Sequence, residues 1–482
     1  MSKGKKSKKI INKIGYVICT LFLIVLGLFI GLLIYMDVIP PKYFYPVVGV
    51  SVFIAILNAV ILYMPRVKSK LKIIFIVLAI LLSVLFGFVA QKLFITNDFL
   101  EKITNTKYET EDYYVIVLND KNYKKLSDLD NLKTGIYKNS AKTYKEARKE
   151  LLGKIKTTNV DYEDVSILAD DLLNERVNAM FISSVYKNTL DEEKATFKES
   201  TKVLYTISIK TKAEDISKAV KVTEQPFNIF VSGIDTTGKI SNVSRSDVNM
   251  IVSVNPNTNK ILLTSIPRDY YVQLHGTTGL KDKLTHAGIY GVNKSITTLE
   301  DLFKTDINYY VRVNFTTLTK LVDNIGGIDV YSDASFYCYT DPGVYVRKGN
   351  NHFNGRQALA FSRERYAYQE GDRHRVKNQQ DVFTAIFKKI SSSQTLISKY
   401  DSILGTLDQS FQTNMSQRDI KKLVKRQLDK MPSWTIENQS VNGTDSSAET
   451  YSYAGQKLYV MIPDMKTVET ASARIDAFLK EK

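Results

Sequence analysis

The chain has 482 residues, of which 44% are hydrophobic and 24% charged, and its formal net charge is +16 at pH 7. This charge is uneven, because residues 1–90 hold eleven Lys and Arg against one acid, Asp37, which leaves 55 basic and 49 acidic residues beyond them. A nucleic-acid-binding surface is therefore not needed to explain the charge. Two cysteines exclude a disulfide framework, and four histidines argue against a His-rich metal site or a His-centred triad.

Three apolar runs near the N-terminus, over 14–36, 43–64 and 71–90, predict membrane-spanning helices. Each run is long enough to cross about 30 Å of hydrocarbon. The first has the basic start of a signal peptide, but it is too long for one and no small-x-small cleavage site follows it. The alternative is a single membrane anchor, with the two later runs as buried core helices.

Basic residues cluster on two of the segments that flank these runs. Six lysines precede the first run and four basic residues lie between residues 66 and 72, whereas the loop after the first run holds only Asp37 and Lys42. The positive-inside rule then places the N-terminus in the cytoplasm and everything after Ala90 outside the cell. We therefore predict a multi-pass protein of the cell membrane with most of its chain extracellular.

We divide the chain into 1–95, with the N-terminus and three transmembrane helices, a small α/β accessory domain over 98–217, and a layered α/β/α domain over 218–482. The expected fold class is α/β, with a mixed sheet in the last domain. In the accessory domain, apolar patterning predicts strands over 113–118 and 180–184 and helices over 143–155 and 168–176. No constellation of residues in that domain carries chemistry.

The larger domain shows a regular alternation of strand and helix patterns. A buried strand over 227–233 is followed by a predicted hairpin of strands 249–254 and 260–265. The pattern then predicts a helix over 295–303, a strand over 308–313, a helix over 318–325, strands over 327–331, 434–441 and 458–462, and a last helix over 466–479.

Arginine usage is the clearest sign of chemistry. The chain has 51 Lys but only 15 Arg, and nine of the arginines fall between residues 245 and 375. They are Arg245, Arg268, Arg312, Arg347, Arg356, Arg363, Arg365, Arg373 and Arg375. The planar guanidinium fork suits phosphate oxygens better than an ammonium does, so this selective usage indicates phosphate binding. The alternative is a set of structural Arg–carboxylate pairs.

Short polar motifs recur in the same part of the chain. They are Gly-Ile-Asp-Thr-Thr-Gly (233–238), Ser-Arg-Ser-Asp (244–247), Ser-Ile-Pro-Arg-Asp (265–269), His-Phe-Asn-Gly-Arg-Gln-Ala-Leu (352–359), Phe-Ser-Arg-Glu-Arg (361–365), Gly-Asp-Arg-His-Arg (371–375) and Asn-Gln-Gln (378–380). Over about 227–385, their order resembles the motifs of the LytR–CpsA–Psr family. One departure is Asn378, where many relatives have an arginine.

This resemblance implies a phosphotransferase that moves capsular or related cell-wall glycopolymer from a polyprenyl-pyrophosphate carrier to peptidoglycan. The resemblance is also compatible with a pyrophosphatase activity. The implied partners are the carrier-linked polysaccharide, the peptidoglycan acceptor, the membrane and other capsule-assembly proteins, but no nucleic acid. The alternative is a regulator that binds the pyrophosphate lipid without turnover. Transcriptional control does not fit the predicted topology, because the arginine-rich domain lies outside the cell.

The resemblance also implies roles for individual residues. Asp235 and Asp247 would hold Mg²⁺ or Mn²⁺, since two carboxylates, pyrophosphate oxygens and water form a normal shell for Mg²⁺. Pyrophosphate would be bound by Arg245, Arg268, Arg363, Arg365, Arg375 and Gln379. The catalytic residues would be Arg245, Arg268, Arg363 and Asp372, with the cations neutralising charge on the transferred phosphoryl group.

Simpler roles remain open for several of these residues. Asp235 fits a turn residue, and Asp247 fits a partner of Arg245 or a local backbone cap. We expect Asp269 to orient Arg268 and His374 to lie at the surface. Finally, the stripe of Leu318, Leu321, Val322 and Ile325 lies on one helical face and fits either a core or a lipid pocket.

Overall fold

The protein is described from a computed structural model. The structure describes residues 2–105, 107–234, 240–369, 371–391, 403, 405 and 411–482, without the side chains of 2–7, 192, 193, 372 and 454. Of the predicted site residues, Asp235 and the side chain of Asp372 therefore lie outside the described residues. The backbone contacts divide the chain into two compact units.

Helices account for the N-terminal hundred residues and recur throughout the rest of the chain. In chain order they are α1 (Ser2–Met36), α2 (Pro41–Tyr63), α3 (Ser69–Ile103), α4 (Lys142–Lys154), α5 (Val165–Leu173), α6 (Ser184–Glu193), α7 (Ala195–Ser200), α8 (Leu284–Ala287), α9 (Val292–Phe303), α10 (Phe315–Asn324), α11 (Gly355–Arg363), α12 (Asp372–Ser391), α13 (Gln417–Lys430) and α14 (Met465–Lys480). Short 3₁₀ helices cover Leu126–Leu129 and Gly288–Tyr290.

Strands begin at residue 108 and alternate with the later helices. In chain order they are β1 (Tyr108–Leu118), β2 (Lys133–Tyr137), β3 (Thr158–Tyr162), β4 (Ala179–Ser183), β5 (Thr201–Lys212), β6 (Phe227–Ile234), β7 (Val248–Asn255), β8 (Lys260–Ile266), β9 (Tyr271–Val272), β10 (Asp282–Lys283), β11 (Tyr309–Asn314), β12 (Ile328–Ser332), β13 (Phe336–Cys338), β14 (Asp341–Val346), β15 (Gly349–Phe353), β16 (Phe411–Thr413), β17 (Thr435–Ser440), β18 (Gly443–Thr450) and β19 (Tyr453–Pro463).

The first unit contains α1, α2, α3 and α13. Within the described residues, three helices are long and apolar enough to cross a membrane, over Lys8–Met36, Pro41–Tyr63 and Ser69–Ile103, as the sequence predicts. Apolar side chains such as Phe22, Phe29 and Phe86 pack between them. Two polar side chains also join the helices, because Lys72 donates to the Leu62 carbonyl and Asn58 donates to the Phe75 carbonyl, both at 2.9 Å.

Among its described residues, the second unit contains two larger sheets and four two-stranded ones. The first larger sheet is formed by residues of 108–212. Its strand order is β3-β2-β4-β1-β5. The pairs β3/β2 and β2/β4 are parallel, whereas β4/β1 and β1/β5 are antiparallel. Apolar clusters cover both faces of the sheet, since Ile116 and Met180 pack into one cluster and Val115 and Phe181 into another. This alternation of neighbouring residues is what a sheet with two buried faces requires.

The second sheet has the order β16-β11-β6-β7-β8-β17. It is mixed, as predicted, because β11/β6 and β8/β17 are parallel while β16/β11, β6/β7 and β7/β8 are antiparallel. One face packs on α9 and α14, with Phe230, Leu299 and Ile475 in the shared core. Val231, the neighbour of Phe230, lines a cavity with residues of α10 and α12 on the other face. The arrangement is therefore an α/β/α layering.

Candidate functional site

A polar cavity of about 480 Å³ lies at one edge of the six-stranded sheet. It is lined by Asp247, Arg268, Asp269, Lys283, Phe315, Tyr339, Thr340, Arg363, Arg365, Tyr366, Arg375, Gln379 and Tyr459. Six of these residues belong to the predicted site, although they come from motifs spread over more than a hundred positions. Whether they bind pyrophosphate remains a prediction, but the structure does bring them around one cavity.

The β7–β8 hairpin brings the first two of these residues together. Asn249 pairs with Ile266 in the antiparallel register, so Asp247 and Arg268 each lie two residues beyond that pair at the same edge of the sheet. The Arg268 Nη1 atom lies 2.7 Å from Asp247 Oδ1, and its Nε atom lies 3.4 Å from Asp269 Oδ2. Arg268 therefore bridges two carboxylates, and Asp269 orients it, as we expected.

The two carboxylates are ionised members of a cationic cluster. Burial alone would raise the pKa of Asp247, but Arg268, Arg245 and Arg375 together hold that pKa below its usual value. The same balance lowers the pKa of Asp269, where Arg268 and Lys283 outweigh the cost of burial. Buried carboxylates with depressed pKa values beside several cations are a feature of functional sites, although structural networks produce it as well.

Helix α11 delivers Arg363 from its last turn. Asn354 caps the helix by accepting a hydrogen bond from the Gln357 amide at 3.0 Å, while the Gln357 side chain bonds back to the Asn354 amide. The guanidinium of Arg363 lies 5.1 Å from the centre of the Phe315 ring, and that of Arg365 lies 4.7 Å from the Tyr366 ring. Stacking on a ring face fixes the plane of a guanidinium. Its N–H donors lie in that plane, so their direction is fixed as well.

Helix α12 supplies Arg375 and Gln379 from successive turns. Asn378 lies between them but is buried, and it donates to the Phe361 carbonyl of α11 at 3.2 Å. It therefore joins two helices. His374 is also buried and stacks on Tyr368 with ring centres 3.4 Å apart, so our expectation of a surface histidine was wrong. A tyrosine six residues earlier in the chain provides a packing partner that sequence spacing does not reveal.

Arg245 adjoins the cavity through its electrostatic interaction with Asp247. It is buried, and its Nη1 atom lies 3.5 Å from the hydroxyl of Thr189, a residue of α6 beside the five-stranded sheet. The accessory region thus contributes to the surroundings of one predicted site arginine.

Three of the other four arginines between residues 245 and 375 have structural partners. Arg356 forms a bidentate pair with Asp341 at 2.6 and 2.7 Å, which is the structural pairing that we weighed as the alternative. Arg312 is buried and donates to the Asn242 carbonyl at 2.8 Å. Arg373 donates to the Gly443 carbonyl at 2.7 Å, and Arg347 is exposed. Arginine usage in this segment is therefore partly structural, and membership in a motif does not by itself mark a cavity residue, since Arg356 and Arg373 also belong to motifs.

Sequence reasoning missed several residues of the cavity. Lys283 lines it and lies 3.3 Å from Asp269, and three tyrosines also line it, namely Tyr339, Tyr366 and Tyr459. Lys283 lies outside the quoted motifs, so no signal in the sequence pointed to it. The tyrosines lie on or beside β14, α11 and β19, whose proximity depends on long-range packing.

An apolar slot of about 90 Å³ adjoins the polar cavity. The two share Phe315 and Gln379, and the slot is otherwise lined mainly by apolar residues of the sheet, α10 and α12. Leu318 lines the slot, whereas Val322 and Ile325 are buried in the core, so the stripe on α10 is partly core and partly slot wall. A polar cavity that shares wall residues with an apolar slot suits an amphiphilic phosphate ester.

The described residues fit part of the predicted metal site. Asp247 supplies an ionised carboxylate at the cavity wall, which suits a Mg²⁺ ligand. Within the described residues, no group of three or more His, Cys, Asp and Glu side chains could hold a metal ion. The second predicted ligand, Asp235, lies outside those residues, so the complete ligand set is not defined.

Fold and site together define an α/β/α protein with an arginine-lined cavity and helices of membrane-spanning length. The model of the LytR–CpsA–Psr family, described as the LytR_cpsA_psr family, matches residues 179–467. The chain belongs to this family, as its motifs suggested.

The chain is also similar to individual proteins. The chain is 35% identical over 217 residues to the polyisoprenyl-teichoic acid–peptidoglycan teichoic acid transferase TagU of Bacillus anthracis, covering 45% of this chain and 68% of that protein. It is 33% identical to the biofilm regulatory protein A of Streptococcus mutans, covering 51% of this chain and 61% of that protein. Among solved structures, protein gbs0355 of Streptococcus agalactiae is 30% identical, with a TM-score of 0.47 over 55% of this chain and 92% of that one.

Proposed function

We propose that the protein is a membrane-anchored transferase that moves a cell-wall glycopolymer from a polyprenyl-pyrophosphate carrier to peptidoglycan. The observation that carries the proposal is the cationic cavity with an apolar slot beside it. The name of the TagU relative, a teichoic acid–peptidoglycan transferase acting from a polyisoprenyl carrier, supports the reaction class. For this chain we propose capsular or related polysaccharide as the polymer, and other capsule-assembly proteins as partners.

The polar cavity would hold the pyrophosphate. Arg268, Arg363, Arg365, Arg375 and Lys283 line it against the carboxylates of Asp247 and Asp269, so its walls carry a net positive charge. Guanidinium groups can give two parallel hydrogen bonds to phosphate oxygens, which fixes the orientation of the ligand as well as binding it. Gln379 would add an amide donor at the boundary with the slot.

The apolar slot would hold the start of the polyprenyl chain. Phe315 and Gln379 line both spaces, so a pyrophosphate in the cavity is continuous with a hydrocarbon chain in the slot. Burying apolar surface contributes about 25 cal/mol per Å², which would favour lipid pyrophosphates over inorganic pyrophosphate.

The proposed step is the attack of an acceptor hydroxyl of peptidoglycan on the phosphorus that carries the glycopolymer. An O–P bond forms between the acceptor oxygen and that phosphorus, and the bridging P–O bond of the pyrophosphate breaks. Polyprenyl phosphate leaves with the electron pair of that bond, and the hydroxyl proton is released to water. Arg268 and Arg363 would stabilise the charge that develops on the phosphate oxygens, where catalysis of phosphoryl transfer mainly resides. Asp247 with Asp235 would hold a divalent cation that supplies further charge neutralisation, and we assign Asp372 to the same site from its motif.

The three apolar helices would anchor the protein in the cell membrane. By the positive-inside rule, the distribution of lysines would put the N-terminus in the cytoplasm and the site domain outside, where peptidoglycan is assembled. This topology and the transfer reaction are parts of one proposal, because the carrier lipid, the acceptor and the cavity must meet on the same side of the membrane.

A reconstituted transfer assay tests the proposal. The full chain would be placed in liposomes with polyprenyl-pyrophosphate-linked polysaccharide, peptidoglycan and Mg²⁺, and polymer bound to peptidoglycan would be measured. We expect polymer attachment together with release of polyprenyl phosphate. Tight binding of the carrier without either product would instead support the non-catalytic regulator.

A further inference from the structure

Helix α13 differs from the other helices that follow residue 103 in its surroundings. In sequence it lies between β16 and β17, two edge strands of the six-stranded sheet, yet its contacts place it in the unit of α1, α2 and α3. None of its residues is fully buried. The assignment of α13 to this unit, and not to the unit of the strands that flank it in sequence, therefore needs a physical explanation.

The polar contacts of α13 join it to one end of the apolar helices. Lys425 lies 2.6 Å from Asp37, in the loop after α1, and Lys421 lies 3.2 Å from Asn97 in the last third of α3. Lys42, next to the start of α2, forms an ion pair with Asp429. All three contacts involve the same end of the bundle, where the chain leaves the apolar part of each helix.

The helix is strongly amphipathic and cationic. Ile420, Leu423, Val424 and Leu428 recur at i, i+3, i+4 and i+8 and form one apolar face, on which Val424 is 42% exposed. The contacting residues Lys421, Lys425 and Asp429 form a separate face. In total the helix holds six basic and two acidic residues, a net charge of +4.

We infer that α13 is an interfacial helix that lies in the membrane surface and binds anionic phospholipid headgroups. Amphipathic helices with basic residues on the polar face and apolar residues on the other insert the apolar face at the headgroup boundary. Polar contacts with the ends of membrane-length helices place α13 at that depth, and its positive charge is complementary to anionic lipid. The inference rests on the membrane anchoring proposed above.

Single-tryptophan reporters in the full chain test this inference. Trp434 is the only tryptophan, so each reporter is combined with Trp434→Phe. Val424→Trp reports the apolar face of α13, Lys422→Trp the polar face, and Leu28→Trp an exposed position within α1. Each variant is placed in nanodiscs of equal amounts of phosphatidylcholine and phosphatidylglycerol, with bromine-labelled acyl chains on one lipid or the other as quencher.

We expect bromolipid to quench Val424→Trp at least about twofold more than Lys422→Trp, and more strongly when phosphatidylglycerol carries the bromine. Adding Arg418→Gln and Lys422→Gln to the Val424→Trp reporter should abolish the preference for phosphatidylglycerol. Quenching by bromolipid should remain, but it should be equal for the two lipids. Quenching of Leu28→Trp but not of Val424→Trp would overturn the interfacial helix alone. Absence of quenching in Leu28→Trp would instead overturn the membrane anchoring. Equal quenching by both lipids would refute the selectivity for anionic headgroups.

Discussion

At the scale of single residues, a substitution of Arg268 is the most direct test of whether the cavity is a specific phosphate-binding site. Its guanidinium bridges Asp247 and Asp269 at the cavity wall, which leaves its orientation defined. Arg268→Lys keeps the positive charge but removes the planar guanidinium with its paired N–H donors. The loss of one charge-assisted hydrogen bond costs about 1.5–3 kcal/mol. We expect turnover of polyprenyl pyrophosphate to fall roughly ten- to a hundredfold.

The matched control for this change is Arg347→Lys. Arg347 is exposed and does not line the cavity, so the same substitution there should alter turnover little. Both rates are measured at equal concentrations of folded protein. Equal losses in the two variants would mean that the arginines act as a diffuse positive field.

The depressed pKa of Asp247 predicts a pH dependence of stability. A carboxyl whose folded pKa lies below its unfolded value stabilises the fold above the unfolded pKa, near 3.8, and loses this contribution as pH falls through the folded pKa. Asp247→Asn should therefore lower the melting temperature at neutral pH, and the difference from wild type should shrink below about pH 4. Thermal unfolding of the full chain without metal, over a pH series, measures this difference. A gap that stays constant down to about pH 2 would contradict the assigned shift.

At the scale of secondary-structure elements, the contact between α10 and α11 depends on a glycine. Gly355 begins α11, and a Cβ atom there would overlap the backbone carbonyl of Thr319 in α10. Gly355→Ala should therefore push the helices apart, destabilise the protein by about 3 kcal/mol and displace Arg363 at the far end of α11. The melting temperature and the turnover rate should fall together.

Gly153 offers a matched control for that substitution. It lies in helix α4, and a Cβ atom there would meet nothing within 4 Å. Gly153→Ala should stabilise the protein by up to about 0.5 kcal/mol, because alanine favours the helix and nothing opposes it. A similar loss of stability in both variants would show that helix–helix spacing at Gly355 is not the cause.

Many elements could be predicted from their local patterns. The hairpin of β7 and β8, helix α9 and helix α14 agree with their predicted ranges to within a few residues, since each has a clear periodicity and turn signal. The strands β13 to β16 and β18 were missed because they are short or polar, and their pairing partners define them. The attachment of α13 to the membrane-length helices was also not predictable, because it depends on contacts with residues hundreds of positions away.

At the scale of the whole molecule, the predicted topology has a direct test. An extracellular reporter fused after Lys92 should be active outside the cell, and the same reporter fused at Ser69 should be inactive there. The physical reason is the excess of basic residues on the N-terminus and around the start of α3, which by the positive-inside rule should keep both segments in the cytoplasm. External activity of the Ser69 fusion would exclude three spans in this orientation.

The candidate site was predictable in part. Arg268, Arg363, Arg365, Arg375, Gln379 and Asp247 belong to ordered motifs, and the structure brings all six to one cavity. Composition alone did not separate them from Arg312 and Arg356, whose partners appear only in the folded chain. The apolar slot could not be predicted either, because two of the four residues of the apolar stripe on α10 belong to the core and do not line the slot.

Helix α12 carries residues of both the cavity and the slot, from Arg375 and Gln379 to Val382, Phe383 and Ile386. Because an α-helix rises about 1.5 Å per residue, Gln379 and Ile386 are separated along its axis by about 10 Å. In the proposed binding mode, the slot along this helix would contact only the start of the isoprenoid chain. Carriers that share this start but differ in total length should then serve equally well, and selectivity between them would come from the attached polymer.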